Sequence, residues 1–383
     1  MSGTADFQRR MPEASHDLRR PVSLLQRWHV DLPLLIGLLA ITVYGLIVLY
    51  SASGQDWHYL KRQGVFFLLA YGVMFTVAQV RLQTMEYWSP WIFAGGVVLL
   101  VLVLYMGVGA KGAQRWLSIG GFRFQPSEIL KLAVPLMVAT YLSRRLLPPK
   151  LHHVIAVLAL IAIPTLLIMR QPDLGTSLLI AASGLLVLFF AGLRWRYILS
   201  AIGILLAASW PIWNFVLRGY QKQRILTLFN PEEDKLGAGW NIIQSKTAIG
   251  SGGLYGKGWT NGTQSQLNFL PESHTDFIIA VLAEEFGLTG VLLLLALYAW
   301  VIVRGLWIAA NAQDTFGRLL AGSITFTFFV YIFVNIGMVS GLLPVVGVPL
   351  PLVSHGGTSI VTLMMGFGIL MAISTERRRV SIG

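Results

Sequence analysis

NFLPESHTDFIIAVLAEEFG, residues 268–287, decides what kind of molecule this is. A polar run turns at Asp276 into a largely apolar one that continues to about residue 303. A run of about 18 or more apolar residues is long enough to cross the hydrocarbon core of a bilayer. A carboxylate at such a boundary costs free energy unless it is paired or used. The stretch reads as a membrane helix with an acidic side chain at its lip, and so as a reactive site on one face of a membrane.

Working outward, runs of the same kind recur from Asp31 to Ser374. Hydrophobic residues make up 55% of the chain and charged residues only 12%, with a mean hydropathy of +0.67. A soluble domain is about one quarter charged. The strands of an outer-membrane barrel alternate apolar and polar residues, and these runs do not. The expectation is an all-α integral membrane protein of about ten transmembrane helices. They fall near 31–52, 62–80, 89–106, 126–142, 153–169, 174–192, 197–216, 276–303, 319–340 and 353–375. Residues 1–30 read as a disordered basic tail, 31–375 as the membrane domain and 376–383 as a second tail. The first apolar run is too long for a signal-peptide core and has no small-residue cleavage site. There is no cysteine, which excludes disulfides and thiol redox chemistry.

Lysine and arginine set the orientation. With the N-terminus in the cytoplasm, the inner segments hold 16 of them and the short outer loops six. That bias places both tails in the cytoplasm and residues 217–275 in a long extracytoplasmic loop. This loop holds six more: Arg218, Lys222, Arg224, Lys235, Lys246 and Lys257. Orientation does not explain that excess, whereas an anionic ligand would. A net charge of +12 is by itself ordinary for a protein that touches anionic lipid. The basic residues are scattered around membrane spans, which argues against nucleic acid as a partner.

Several polar clusters fall on the outer side. In GAKGAQRWLSIGGFRFQPSEILK (109–131), Gly-rich turns carry Lys111, Arg115 and Trp116 before a helix opens at Pro126. Glu128 suits the positive start of that helix, and Lys131, three residues on, shares its face and can pair with it. A capped helix with an internal ion pair explains these two; so does a site facing a lipid phosphate. Arg115 and Trp116 fit an interfacial anchor or a ligand contact. In RQPDLGTS (170–177), Asp173 can simply cap a helix, or a carboxylate near Arg170 can organise a site.

The long loop carries apolar residues at helical spacing, Ile225, Leu226 and Phe229, which predicts short helices on the membrane surface. The glycines of GSGGLYGKG (250–258) allow close backbone approach to a ligand. Asp276 reads as the start of the following helix, either as its cap or as a reactive group. Glu284 and Glu285 lie about 12 Å further along. Two carboxylates inside a span must face protein or water, and pairing with Lys131 or an arginine would hold helices together. GLLPVVGVPLPLVSHGGTS (341–359) reads as an irregular, cavity-lining segment, tolerated in a membrane only when buried in protein.

Five ordered motifs resemble the SEDS family: GAQRWLSIGGFRFQPSEILK, QPDLGTS, QSKTAIGSGGLYGKGW, FLPESHTDFIIAVLAEEFG and VSGLLPVVGVPLPLVSHGGTS. The resemblance covers about residues 30–375, and the VLAEE form is more similar to elongation-type than to division-type members. It implies ten membrane helices and glycosyl transfer at the outer face of the bacterial cytoplasmic membrane. The substrate implied is lipid II, a disaccharide-pentapeptide on undecaprenyl pyrophosphate. The family's essential aspartate falls on Asp276, its RW tryptophan on Trp116, the charged pair of its SEIxK motif on Glu128 and Lys131, and the acid of PDLGTS on Asp173. His355 departs from the pattern, standing where an aromatic residue such as tyrosine is expected.

The residue chemistry is compatible. Joining sugars requires an acceptor hydroxyl to lose its proton as pyrophosphate leaves, and one carboxylate can take it. Pyrophosphate departs unprotonated, so no second acid is required, unlike in glycoside hydrolysis. Lys111, Arg115, Arg224, Lys246 and Lys257 are candidates to stabilise the leaving charge. A divalent cation could share that work, although no ligand cluster in the sequence demands one. No S-x-x-K motif for transpeptidation stands in a convincing setting. The resemblance therefore implies a class B penicillin-binding protein as partner, together with other elongation-complex proteins. Two other readings stay open: a lipid II flippase, and a non-catalytic scaffold for the penicillin-binding protein.

Overall fold

Four of the long helices open on an aspartate that accepts a free N–H of the first turn. Asp31 accepts from Leu34 N at 3.1 Å, Asp56 from His58 N at 2.7 Å, Asp173 from Thr176 N at 3.2 Å and Asp314 from Gly317 N at 3.0 Å. The computed structural model describes residues 28–110, 113–119, 122–217, 219–233, 237–266 and 272–376. The expected tails fall almost wholly outside that range.

The helices are α1 (Leu32–Ala52), α2 (Trp57–Ala78), α3 (Leu82–Met106), α4 (Pro126–Ser143), α5 (Leu151–Arg170), α6 (Leu174–Phe190), α7 (Trp195–Pro211, continued by a π-turn over Ile212–Val216), α8 (Gly219–Phe229), α9 (Ala238–Gly252), α10 (Thr263–Gln266), α11 (Ile278–Asn311), α12 (Thr315–Val339) and α13 (Thr358–Thr375). The chain is an all-α membrane protein. Among the described residues, seven helices are long and apolar enough to cross a membrane by length and composition: α1, α3, α5, α7, α11, α12 and α13. The other three expected spans, α2, α4 and α6, form where they were expected. Lys61 and Arg62 open α2, Glu128 and Lys131 sit in α4, and α6 has only 17 residues. Helix α4 is walled in by α3, α6 and α12, so it need not be apolar all round.

The segment expected as Gly-rich turns is instead a small antiparallel meander: β1 (Val108–Ala110), β2 (Ala113–Ile119) and β3 (Phe122–Phe124). Val108 pairs with Trp116 and Leu117 with Phe124. The strands satisfy backbone groups that an open loop at the bilayer edge would leave to water.

Burial divides the bundle. About 61% of the spanning stretches of α12 and α13 is buried, while no residue of α7 is. Helices α12 and α13 form the centre with α4 and α6, and α7 stands at the rim.

Helix α11 is broken at Gly287, whose φ of 65° and ψ of −162° are not helical. The long loop docks into the break. Lys257 N and Gly258 N donate to the carbonyls of Glu284 and Glu285, and Leu288 N and Thr289 N donate to Gly253 O and Leu254 O, all at 3.0–3.1 Å. A Cβ on Gly256 would stand 2.1 Å from Glu285 O. Gly252 and Gly256 therefore serve a close backbone approach to α11 itself.

Candidate active site

Asp276 lies in the turn 272–277 just before α11, two residues short of the helix. The helix's N-cap position is Phe277, which makes no capping side-chain bond, and Asp276 stands one residue before it. The turn is fixed by its neighbours. Asn335 of α12, fully buried, donates to Asp276 O at 2.8 Å and to Val348 O at 2.7 Å. Ser354 Oγ donates to Thr275 O at 2.5 Å, and His355 N donates to His274 O at 2.9 Å. The irregular segment before α13 is thereby strapped to the turn, as expected for non-helical backbone at membrane depth.

This strapping brings Gly347 against Asp276. Its φ of +74° favours glycine, and a Cβ there would lie 3.5 Å from Asp276 Oδ2. Gly347 in turn lines a cavity of about 280 Å³ whose wall includes Arg115, Trp116, Glu128, Lys131 and Asp173. Five residues singled out from the sequence thus meet in one chamber whose rim touches the sixth. Lys131 Nζ donates to Glu128 Oε1 at 2.6 Å, the i,i+3 pair expected. Arg115 Nη2 donates to Pro172 O at 2.5 Å, with Nη1 3.6 Å from Asp173 Oδ2. Asp173 both caps α6 and pairs with Arg115, so its partner is not Arg170. Among the described residues, Glu128 Oε2 and Arg115 Nε have no hydrogen-bond partner.

The remaining candidates lie elsewhere. Lys257 Nζ donates to the fully buried Glu284 Oε1 at 2.7 Å. Glu284 also accepts from Thr263 N at 2.9 Å and Gln264 N at 3.1 Å. Glu285 accepts from Ser51 Oγ. These carboxylates hold the loop, not Lys131 or an arginine. Arg224 lies on α8, and Lys246 of α9 packs over Gly341; neither lines the chamber. Lys111 lies outside the described residues. No group of three or more His, Asp or Glu side chains is placed to hold a metal ion among the described residues.

The chamber also uses residues that the sequence reading passed over. Tyr331 of α12 lines it, with its ring centroid 5.5 Å from Lys131 Nζ. Tyr331 and Asn335 are four apart and share a helix face. An asparagine inside an apolar span is itself a functional signal. His355 sits against Tyr59 and His274, with ring centroids 5.5 and 6.3 Å away. Burial, with Arg62 and His274 nearby, pushes its imidazole below the usual histidine value.

The cell cycle protein model named for FtsW, RodA and SpoVE matches residues 27–379. The chain belongs to the FtsW/RodA/SpoVE family. Among curated relatives in this family, the peptidoglycan glycosyltransferase MrdB of Escherichia coli is 56% identical over 354 residues, covering 92% of this chain and 95% of the relative. The probable peptidoglycan glycosyltransferase FtsW of Geobacter sulfurreducens is 38% identical, covering 90% and 95%. Among solved structures, the rod shape determining protein RodA of Thermus thermophilus matches with a TM-score of 0.69 at 27% identity, covering 91% of this chain and 98% of that one. A chain from a peptidoglycan synthase complex, described as coordinating polymerization and crosslinking, matches with a TM-score of 0.79 at 28% identity, covering 90% and 97%.

Proposed function

We propose that this family member is a peptidoglycan glycosyltransferase that polymerises lipid II into glycan strands during cell elongation, with Asp276 as general base. One observation carries the proposal: the Asp276 carboxylate stands beside Gly347 at the rim of a chamber walled by Arg115, Glu128, Lys131 and Asp173. In the reaction, the acceptor hydroxyl gives its proton to Asp276 as its oxygen bonds to the anomeric carbon. The bond from that carbon to the diphosphate oxygen breaks, and undecaprenyl pyrophosphate leaves with the electron pair. A positioned base contributes about 10²–10⁴-fold to such a step.

The lysine and arginine bias supports an inner membrane location with both termini in the cytoplasm and the chamber on the outer face. A class B penicillin-binding protein is the partner that would supply crosslinking, since the chain offers no serine–lysine site for it. Arg224 and Lys246, on the same outer loop as the turn, are retained as candidates to meet the leaving diphosphate.

Purified protein is mixed with lipid II and a class B penicillin-binding protein, and the products are separated by size. Glycan strands are expected from the wild type and none from Asp276→Ala, while partner binding persists. Full polymerisation by the variant discards the assignment, and lipid II movement across vesicles without strands would point to a flippase. The chain has no cysteine, so Asp276→Cys gives one unique thiol. An impermeant reagent should label it from the outside of intact spheroplasts.

A further inference from the structure

We propose that Gln63 of α2 is a positioning residue for the Asp276 turn, acting through the backbone of Ser354 and Gly356. The inference rests on the polymerase reading and deepens it. Gln63 is fully buried. Its side-chain amide grips the irregular segment before α13 at two points. Nε2 donates to Ser354 O at 3.3 Å, and Oε1 accepts from Gly356 N at 3.4 Å. A primary amide sets a donor and an acceptor side by side. One side chain therefore spans His355 and holds the backbone on both sides of it.

Each residue held in this way leads on to the site. Ser354 Oγ donates to Thr275 O at 2.5 Å, and His355 N donates to His274 O at 2.9 Å. His274 and Thr275 immediately precede Asp276. Gly356 lines the chamber. Residues 354–356 thus lie between α2 and the turn, and Gln63 fixes the side that faces away from the turn. Tyr59 and Phe66 follow the same segment. With Gln63 they are spaced four and three residues apart, which puts all three on one helix face. The Tyr59 ring centroid is 5.5 Å from that of His355. A Cβ on Gly357 would stand 2.9 Å from Phe66 Cζ. The rings confine the segment by contact, and the amide sets its rotation through directed bonds.

This matters for proton transfer. A general base works within about 2.6–3.2 Å of the proton it takes, and a displacement of about 1 Å can cost about 100-fold. Arg115, Glu128, Lys131 and Asp173 are carried by β2, α4 and the cap of α6, not by the segment that Gln63 holds. Loss of the amide should therefore slow the chemical step and spare substrate binding.

The test measures polymerisation of lipid II by full-length protein with a class B penicillin-binding protein, per folded molecule and across a range of pH. Gln63→Met keeps the length of the side chain and removes both bonds. Its kcat should fall at least about tenfold, with KM for lipid II within about twofold of wild type. Gln63→Glu supplies a readout that a merely structural role would not move. Its acid form can donate to Ser354 O and accept from Gly356 N, whereas its ionised form has no donor. Its kcat relative to wild type should be highest at the acid end, at least about fivefold above Gln63→Met, and fall as pH rises. Dividing by the wild type cancels the loss that a carboxylate base suffers on protonation, which runs the opposite way. Gln63→Glu carries the test if Gln63→Met does not fold. Wild-type kcat in Gln63→Met overturns the proposal. So does a rise in KM with kcat unchanged, or a Gln63→Glu no better than Gln63→Met at any pH. Asp276→Ala tells the two readings apart. Strands from that variant sink the base and its positioning together. No strands from it, with wild-type kcat in Gln63→Met, sinks the positioning alone.

Discussion

The bundle buries an ion pair at each end, and the two are built differently. At one end, Asp31 accepts Arg304 Nε at 2.9 Å, Arg304 Nη2 at 2.7 Å, Ser374 Oγ at 2.8 Å and Leu34 N at 3.1 Å. Both carboxylate oxygens are used, and three helices, α1, α11 and α13, are tied at one point. Burial would push this carboxyl up, but these bonds outweigh it and hold it below the usual aspartate value. At the other end, Glu128 and Lys131 stand on one helix and face a chamber, and one carboxylate oxygen is unpartnered. A saturated pair can only hold the fold together, whereas an unsaturated one has capacity left for something that arrives.

The contrast can be broken most directly at Arg304. Arg304→Ala leaves a buried carboxylate without its cation, which should cost about 3–5 kcal/mol, measured as a loss of thermal or denaturant stability in detergent. Glu128→Gln should do the reverse. The amide still offers Lys131 an acceptor, so stability falls by less, about 1–2 kcal/mol, while polymerisation drops on the order of 100-fold. If the two variants lose stability equally and polymerisation survives in Glu128→Gln, degree of saturation does not separate scaffold from site. Lys257→Ala sharpens the point, because its partner Glu284 is a saturated carboxylate in the stretch that follows Asp276. Stability should fall by about 1–3 kcal/mol, with kcat unchanged in the folded fraction. A selective loss of kcat would return Lys257 to the site. The smallest effect belongs to His355. Its neutral form is favoured in the folded chain, so its stabilisation is complete above the ordinary value of 6.5 and is lost as pH falls below it. His355→Tyr should flatten the decline in melting temperature between pH 7 and pH 5 by a small margin, and an unchanged decline would count against the role.

What could be read from the chain follows the range of the interactions. The Glu128–Lys131 pair was legible because three residues on a helix fix its geometry. The helices were legible because a bilayer demands long apolar runs. Asp276 stood out because a carboxylate at that boundary needs a reason. Long-range partners were not legible. Asp173 had Arg170 beside it in sequence yet pairs with Arg115, and Glu284 chose Lys257 over Lys131, because docking of the meander and the loop decides which cation arrives. The meander itself was hidden by its short strands, which give period-two alternation too little length to show. Gly287 looked like an ordinary helix residue, since a backbone break leaves no mark on side-chain pattern.

That break gives α11 two stretches held by different partners. From Leu288 to Asn311 the helix is tied at Arg304 to Asp31, which also holds Ser374. From Ile278 to Glu285 it is buried throughout, and the preceding turn is fastened to Asn335, Ser354 and His355. The Asp276 turn is therefore anchored to α12 and to the segment before α13, across a kink from the stretch that Arg304 anchors.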